Sequence, residues 1–225
     1  MNRPSTSTPL APVTARGQRT RQKLVDAAEV VFGQKGFEAA SVADITREAG
    51  VALGTFYVYF PDKKALFVEV VDALGERLRE QLAEAVDGLE DRLEVEEAGL
   101  RAFFAFCRKH RLLYRIVRQA EFVDEACFRR YYQRIAAPYA RRLEEAMGLG
   151  QVRAMDAEAL AWCLMGLADF LGLRFVLWKG AGSQEAALKT AVQFIRHGLS
   201  PGPQAAGREP PITLGKGPAR SRRKP

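Results

Sequence analysis

Residues 37–67 read FEAASVADITREAGVALGTFYVYFPDKKALF and carry the most specific pattern in the chain. Ser41 and Asp44 form an S-x-x-D box, in which a hydroxyl and a carboxylate satisfy the first amides of a helix. Gly50 permits the left-handed backbone of a tight turn, and a second short helix follows from Leu53. Two short helices joined by a turn that contains glycine are typical of a helix-turn-helix motif.

The second helix, LGTFYVYF, is unusual for the surface of a soluble protein. Phe56 and Phe60 can face a core together because they are four residues apart, but the tyrosines between them cannot. Phenolic hydroxyls can reach phosphates, and Thr55 and Val58 suit base edges or thymine methyl groups. A packed aromatic helix is the alternative for the motif alone, but the whole ordered pattern favours double-stranded DNA. The predicted DNA-binding residues are Arg19, Ser41, Val42, Gly54, Thr55, Tyr57, Val58, Tyr59, Lys63 and Lys64.

Residues 19–67 resemble the N-terminal domain of the tetracycline-repressor (TetR) family. The resemblance depends on a first helix TRQKLVDAAEVVFGQKGFEAAS and on the ordered elements A-G-V, G-T-F-Y, Y-F and D-K-K-A-L-F. It implies a three-helix head, joined by a fourth helix to a helical domain that binds an effector and forms a homodimer through its last two helices. It also implies that five residues contact DNA, chiefly its backbone, and these are Ser41, Gly54, Tyr57, Tyr59 and Lys63.

Two positions depart from the family pattern. Ala52 stands where a capping serine is common, which removes a cap typically worth about 1 kcal/mol. Thr46 occupies a small slot that is often alanine. We expect neither residue to change the fold.

The net charge of +7 is unevenly distributed along the 225 residues. Residues 1–64 carry nine Lys and Arg against six Asp and Glu, residues 65–199 carry 19 against 20, and the last 26 residues carry six against one. A basic N-terminal module on a neutral body is typical of a protein that approaches a polyanion from one side. For the basic C-terminal tail, a role in solubility explains the charge equally well.

Apolar residues recur at intervals of three and four, and patterns of strand type are absent, so we predict an all-α fold with about nine helices. They include a helix from Arg19 to Gln34 and another over 156–179. The polar, Pro- and Gly-rich residues 1–17 and 200–225 are expected to be a disordered arm and a disordered basic tail. Between them we place a helix-turn-helix domain over 18–64 and a helical effector-binding and dimerisation domain over 65–199.

Several functional classes lack support in the sequence. The three cysteines and two histidines show no metal-ligand spacing, and we predict no metal, no cofactor and no catalytic residue. The odd thiol count and the lack of a secretory signal favour the cytoplasm. The apolar run from Leu160 to Trp178 contains Asp169 and Arg174, so we predict a buried core helix and no membrane span. An enzyme and a DNA-coating architectural protein remain rival hypotheses.

The second half of the chain is rich in aromatic residues, as expected of a cavity for a small molecule. The candidate pocket residues are Phe103, Phe106, Cys107, Tyr114, Val117, Tyr131, Ile135, Trp162, Met165 and Asp169. The arginines between Arg101 and Arg142 either balance the acidic fourth-helix region on solvated faces, which we favour, or select an anionic ligand. The second alternative suggests a hydrophobic effector with an acidic or acyl group.

The helix over 156–179 is apolar nearly all round and near the end of the chain, so a two-fold homodimer interface would cover it. The candidate interface residues are Phe170, Leu173, Leu177, Leu188, Val192 and Ile195. For Asp169 we favour pairing with an arginine of a neighbouring helix over contact with a ligand, because a buried carboxylate needs a partner. A two-fold dimer would bind a palindromic operator.

Overall fold

The computed structural model describes residues 14–178 and 182–200, and this part of the chain contains nine α-helices and no strand. The helices are α1 (Ala15–Lys35), α2 (Val42–Ala49), α3 (Leu53–Tyr59), α4 (Lys63–Val86), α5 (Arg92–Lys109), α6 (Arg111–Val123), α7 (Glu125–Gly148), α8 (Ala157–Gly172) and α9 (Gln184–Leu199). A π-helical turn, Leu173–Leu177, follows α8 directly. The all-α prediction is confirmed.

Polar side chains at the helix N-termini determine where most helices begin. Ser41 and Asp44 form the expected capping box of α2. The carboxylate of Asp62 accepts a hydrogen bond of 2.7 Å from the amide of Ala65 at the start of α4. Asp91, Asp124 and Asp156 cap α5, α7 and α8 in the same way. The helix α3 lacks a side-chain cap, as expected from Ala52.

Two expected boundaries are wrong. The first helix begins at Ala15 instead of Arg19, because the hydroxyl of Thr14 caps it by accepting from the amide of Gly17 at 3.1 Å. Residues 14–17 therefore belong to an ordered helix start, while residues 1–13 and 201–225 of the predicted arm and tail lie outside the described residues. The helix α8 ends at Gly172, and the wider turn that follows is closed by the amide of Trp178 bonding to the carbonyl of Leu173.

Two clusters of buried residues form the core. The first joins α1, α2 and α3 to α4, α6 and the start of α7, and includes the edge-to-face pair Phe32 and Phe67 with ring centroids 5.2 Å apart. It extends as far as Cys127 and Tyr131. The second cluster joins α5, the end of α7, α8 and α9. Packing is therefore continuous across the expected domain boundary at residue 64.

Candidate DNA-binding surface and ligand cavity

The helices α2 and α3 meet at the turn that the sequence predicts. Gly50 has φ 65° and ψ 36°, a left-handed conformation, and the amide of Val51 bonds back to the carbonyl of Thr46 at 3.0 Å. Ile45 and Phe56 are fully buried between the helices. Thr46 is also buried and satisfies its hydroxyl on the carbonyl of Ala43, so the larger side chain fits the slot as expected.

The outer face of α3 is exposed and suited to a groove. Tyr57 and Val58 are 58% and 62% exposed, although both are large and apolar or aromatic. A side chain at Gly54 would meet nothing within 4 Å, so a duplex can approach the backbone there. Thr55 is half-buried, and Tyr59 is half-buried against the first core cluster. The exposed face of α3 thus includes fewer residues than the sequence predicted to contact DNA.

Lys63 has a different environment from the one expected. Its ammonium group donates to the carbonyl oxygens of Phe37 at 2.6 Å and Ala40 at 2.8 Å, and lies 4.3 Å from the centroid of the Phe37 ring. These carbonyls lie in the loop after α1, where the backbone needs a donor from outside the loop. The expectation that Lys63 contacts phosphate does not fit these contacts. Lys64 is more exposed and forms a 2.9 Å ion pair with Asp124.

The other predicted contacts around α1 and α2 are accessible. Arg19 and Ser41 are exposed, and Val42 is half-buried. Lys35 and Ser41 hold the pKa of the Asp44 carboxyl well below its usual range by hydrogen bonding to it. Arg47 forms an ion pair with the same carboxylate yet keeps 74% of its side chain exposed, so it is an accessible cation that the sequence argument missed.

A cavity of about 340 Å³ lies among α4, α5, α6, α7 and α8. Nine of the ten candidate pocket residues line it, namely Phe103, Phe106, Cys107, Tyr114, Val117, Tyr131, Ile135, Met165 and Asp169. Trp162 is the exception: it is 42% exposed and does not line the cavity, although its ring centroid lies 6.1 Å from that of Tyr132, which does. The volume falls in the range of small-molecule sites.

One end of the cavity holds a buried polar cluster that the sequence argument missed. Arg92 and Glu96 are each 6% exposed and pair with each other, with 2.8 Å between Nε and Oε1. The hydroxyl of Tyr139 donates to the second oxygen of Glu96. Burial first, and then the charge of Glu96, raise the pKa of Tyr139 well above its ordinary value, so the phenol stays neutral. The cluster is internally satisfied. The i, i+4 spacing of Arg92 and Glu96 is the feature of the sequence that could have predicted this ion pair.

Asp169 does not form the arginine pair that we favoured. Within residues 14–178 and 182–200 its carboxylate has no ion-pair partner, although its main-chain oxygen accepts a 2.8 Å hydrogen bond from the hydroxyl of Tyr114. Three arginines on the helices that pack against α8 have other partners: Arg101 of α5 pairs with Glu97 and Glu185, and Arg130 and Arg134 of α7 pair with Asp72. This supports the solvated-face interpretation for those three arginines.

The helices α8 and α9 present an apolar outer face. On α8 it consists of Ala159, Trp162, Cys163, Gly166 and Phe170, which are spaced at helical intervals and all exposed. Phe170 and Phe194 are each 68% exposed. Two predicted interface residues are misplaced, because Leu188 and Ile195 are buried in the second core cluster of the same chain. Leu173, Leu177 and Val192 are half-buried.

The segment Ala157–Leu177 is long and apolar enough to cross a membrane by length and composition alone, and 22% of its most apolar window is buried. The helix is therefore only partly buried in one chain, and its burial stays a prediction that depends on the expected homodimer. Its inner side packs on α5 and α7, while its outer side is left uncovered by the described residues. Among those residues no group of three or more His, Cys, Asp or Glu side chains could hold a metal ion.

Comparison with known proteins identifies the helix-turn-helix. Residues 24–70 match the model of the tetR family of bacterial regulatory proteins. The HTH-type transcriptional regulator TtgR of Pseudomonas putida is 29% identical over 203 residues, which cover 82% of this chain and 94% of that protein. YdgC of Bacillus subtilis, an HTH-type regulator, is 27% identical over 83% of this chain and 96% of its own length. Residues 24–70 therefore form a DNA-binding domain of the TetR family.

Solved structures share the fold of this protein. The fatty acid degradation regulator FadR from Bacillus halodurans has a TM-score of 0.70 at 21% identity, covering 78% of this chain and 94% of that chain. A TetR-family regulator from Rhodococcus sp. has a TM-score of 0.69 at 20% identity, covering 81% and 100%. These structures show the fold alone. The matched helix-turn-helix and the curated relatives show a DNA-binding transcriptional regulator and not an enzyme.

Proposed function

We propose that the protein is a repressor that binds a palindromic operator in the cytoplasm and leaves it when a small hydrophobic effector fills the cavity. The observation that carries this proposal is that one helix, α6, forms part of the cavity wall and also contacts the DNA-binding head. Tyr114 and Val117 of α6 line the cavity. The side-chain oxygen of Gln119, two residues further on, accepts a 2.7 Å hydrogen bond from the amide of Phe37.

Further contacts join the head to the same wall. Leu112 of α6 packs so closely on Gly33 of α1 that a Cβ atom at Gly33 would lie 2.5 Å from it. Arg77 of α4 forms a 2.6 Å ion pair with Glu29 of α1. A ligand that moves α4 or α6 must therefore move the head as well. Allosteric couplings of this kind are typically worth about 1–3 kcal/mol.

A two-fold homodimer that places its two recognition helices in successive major grooves would prefer a palindromic operator, because each helix reads one half-site. The apolar outer face of α8 and α9 supports this assembly, because burying exposed aromatic residues such as Phe170 and Phe194 stabilises an interface. In such a dimer the two α3 helices would lie about 34–36 Å apart, one turn of DNA.

The lining of the cavity supports an effector with an apolar body. It gives less support to the acidic or acyl group that the sequence suggested. The cavity wall consists mainly of aliphatic and aromatic side chains. Of the arginines between Arg101 and Arg142, only Arg118 and Arg142 line the cavity, and both are exposed. Of the other arginines in the lining, Arg92 pairs with Glu96 and Arg79 pairs with Glu76, so the arginines left for an anion lie near solvent.

The test is a footprint of the purified protein on the DNA that flanks its own gene, followed by binding titrations with two kinds of variant. We expect Tyr57→Ala to weaken binding at every site by about tenfold or more, because a lost phosphate contact acts uniformly. Tyr57→Phe separates the contribution of the hydroxyl from that of the ring. Substitutions at Thr55 or Val58 should instead change which operator is preferred.

The alternatives predict different results. A DNA-coating protein would protect no discrete site. Operator affinity that is unchanged in Tyr57→Ala would show that α3 does not form the DNA-binding surface.

A further inference from the structure

The cavity contains one carboxylate whose charge the described structure leaves unbalanced. The charged residues that line the cavity are Arg79, Arg92, Glu96, Arg118, Arg142 and Asp169. Arg92 and Glu96 neutralise each other, and Arg79 pairs with Glu76 outside the cavity. Arg118 and Arg142 are exposed, so water solvates them.

Asp169 differs from these residues because it is partly buried and, among residues 14–178 and 182–200, has no ion-pair partner. It lies in the last turn of α8, in a cavity wall that consists mainly of aliphatic and aromatic side chains. A carboxylate removed from water without a partner costs free energy. Its presence in an apolar wall is therefore best explained by a partner that arrives from solution.

The side chains around Asp169 are aromatic. The hydroxyl of Tyr114 lies 2.8 Å from the main-chain oxygen of Asp169, and the rings of Tyr131 and Tyr132 meet edge to face with centroids 5.2 Å apart. Burial first, and the charge of Asp169 second, raise the pKa of Tyr132 to about 12. The same two causes raise the pKa of the Cys107 thiol to about 12. These groups stay neutral near pH 7 and cannot neutralise a ligand that carries a negative charge.

We propose that the effector carries a cationic nitrogen, held by the carboxylate of Asp169 and the faces of Tyr114, Tyr131 and Tyr132, with an apolar body along the cavity. Ring faces attract ammonium groups, and more strongly when water is excluded. Arg118 already places its guanidinium 5.7 Å from the centroid of the Tyr114 ring at the exposed side, so this group of rings accommodates a cation. This inference rests on one part of the proposed function, namely that the effector binds in the cavity.

The experiment measures ligand binding by calorimetry on the full chain without DNA, using three probes of equal chain length. These are decyltrimethylammonium, 1-decanol and decanoate, below their micellar concentrations. We expect decyltrimethylammonium to bind tightest, and Asp169→Asn to weaken its binding by about tenfold or more, because the substitution removes the ion pair. The affinity for 1-decanol should change less than about twofold, since its binding is apolar. Glu158→Gln is the matched control, as it neutralises an exposed carboxylate on the same helix outside the cavity.

If Asp169→Asn does not fold, a second pair of variants at Tyr132 tests the same cation site. Tyr132→Leu should weaken binding of decyltrimethylammonium, whereas Tyr132→Phe keeps the ring and should retain it. Tighter binding of decanoate than of the cation would overturn the proposal, as would binding of none of the three probes. Equal cation affinity in Asp169→Asn and the unchanged protein would also overturn it.

Operator release is measured in parallel by the anisotropy of a labelled DNA. Binding of the cation without release of DNA would support the site and contradict the proposed repressor mechanism. Release by decanol or decanoate alone would support the mechanism and contradict the cation site.

Discussion

At the scale of single residues, Lys63 shows how a charge beside a DNA-binding surface can have a structural role. Its ammonium group donates to the carbonyls of Phe37 and Ala40 and covers the Phe37 ring. Lysine contributes here by satisfying backbone acceptors that no helix amide reaches.

We expect Lys63→Met to lower the free energy of unfolding by about 1–3 kcal/mol, because it leaves partly buried carbonyl oxygens without a charged donor. Urea unfolding followed by circular dichroism measures this. Lys64→Met is the matched control and should change stability by less than about 1 kcal/mol, because the ion pair with Asp124 is half exposed. If Lys63→Met instead loses operator affinity while its stability is unchanged, Lys63 contacts DNA as the sequence predicted.

His110 provides a residue-scale test of pH dependence. Burial first, and the positive charge of Arg77 second, lower the pKa of His110, which stacks on Phe106 with ring centroids 4.6 Å apart. Since the folded-state pKa lies below the unfolded value of about 6.5, the unfolded chain binds more protons in that region, and stability falls as the pH drops below about 6.5.

Urea midpoints between pH 5 and pH 7.5 should show this loss in the unchanged protein, and His110→Gln should reduce the slope. The slope should persist in His197→Gln, which alters an exposed histidine on α9. A slope of the same size in His110→Gln would mean that other groups cause the acid sensitivity.

At the scale of helices, the contact of α1 with α6 has almost no free space. A Cβ atom at Gly33 would lie 2.5 Å from the Cβ atom of Leu112, which is closer than packed atoms come. The two helices can approach so closely only because position 33 has no side chain.

Gly33→Ala should therefore destabilise the protein by about 1–3 kcal/mol, the usual cost of overpacking, as measured by chemical unfolding. Leu112→Gly in the same chain removes the Cβ atom that clashes and should recover part of that loss, which a double-mutant cycle quantifies. Gly148→Ala is the control, because a Cβ atom there meets nothing within 4 Å. Additive effects of the Gly33 and Leu112 changes would show that the two residues do not interact.

The helices also show what could be predicted from the sequence. Capping residues and turn glycines act locally, so α2, α3 and the start of α4 were predicted correctly. Periodicity groups side chains on one face but does not say what covers that face. For this reason Leu188 and Ile195 were assigned to an interface although they are core residues, and Trp162 was assigned to the cavity although it is exposed. The contacts of Lys63 and the lack of an arginine beside Asp169 depend on distant parts of the chain, and no local pattern reveals them.

At the scale of the whole molecule, the outer face of α8 and α9 is the proposed dimer interface. We expect sedimentation to show a dimer that the double substitution of Phe170→Glu and Phe194→Glu dissociates, because both side chains are 68% exposed in one chain. The resulting folded monomer should bind the full operator more weakly than the dimer, since it contacts one half-site.

Phe122→Glu is the matched control, because Phe122 is 87% exposed and belongs to α6 instead of α8 or α9. A charged double variant that remains dimeric would place the interface elsewhere. Alkylation gives an independent readout: Cys163 lies on the same face and is exposed in one chain, whereas Cys107 and Cys127 are buried. Dimer formation should slow the labelling of Cys163.

The contacts of Lys63 also bear on how far α4 would have to tilt, when a ligand fills the cavity, for the DNA-binding head to be displaced. They tie the loop after α1 to the first turn of α4, so the head follows the N-terminal end of that helix. Leu78, which lines the cavity, lies fifteen residues further along α4, or about 22 Å at 1.5 Å per residue. A tilt of about 5° at the cavity would therefore displace the head by about 2 Å. With the opposite displacement in a two-fold partner, the distance between the recognition helices would change by about 4 Å, more than one base-pair step.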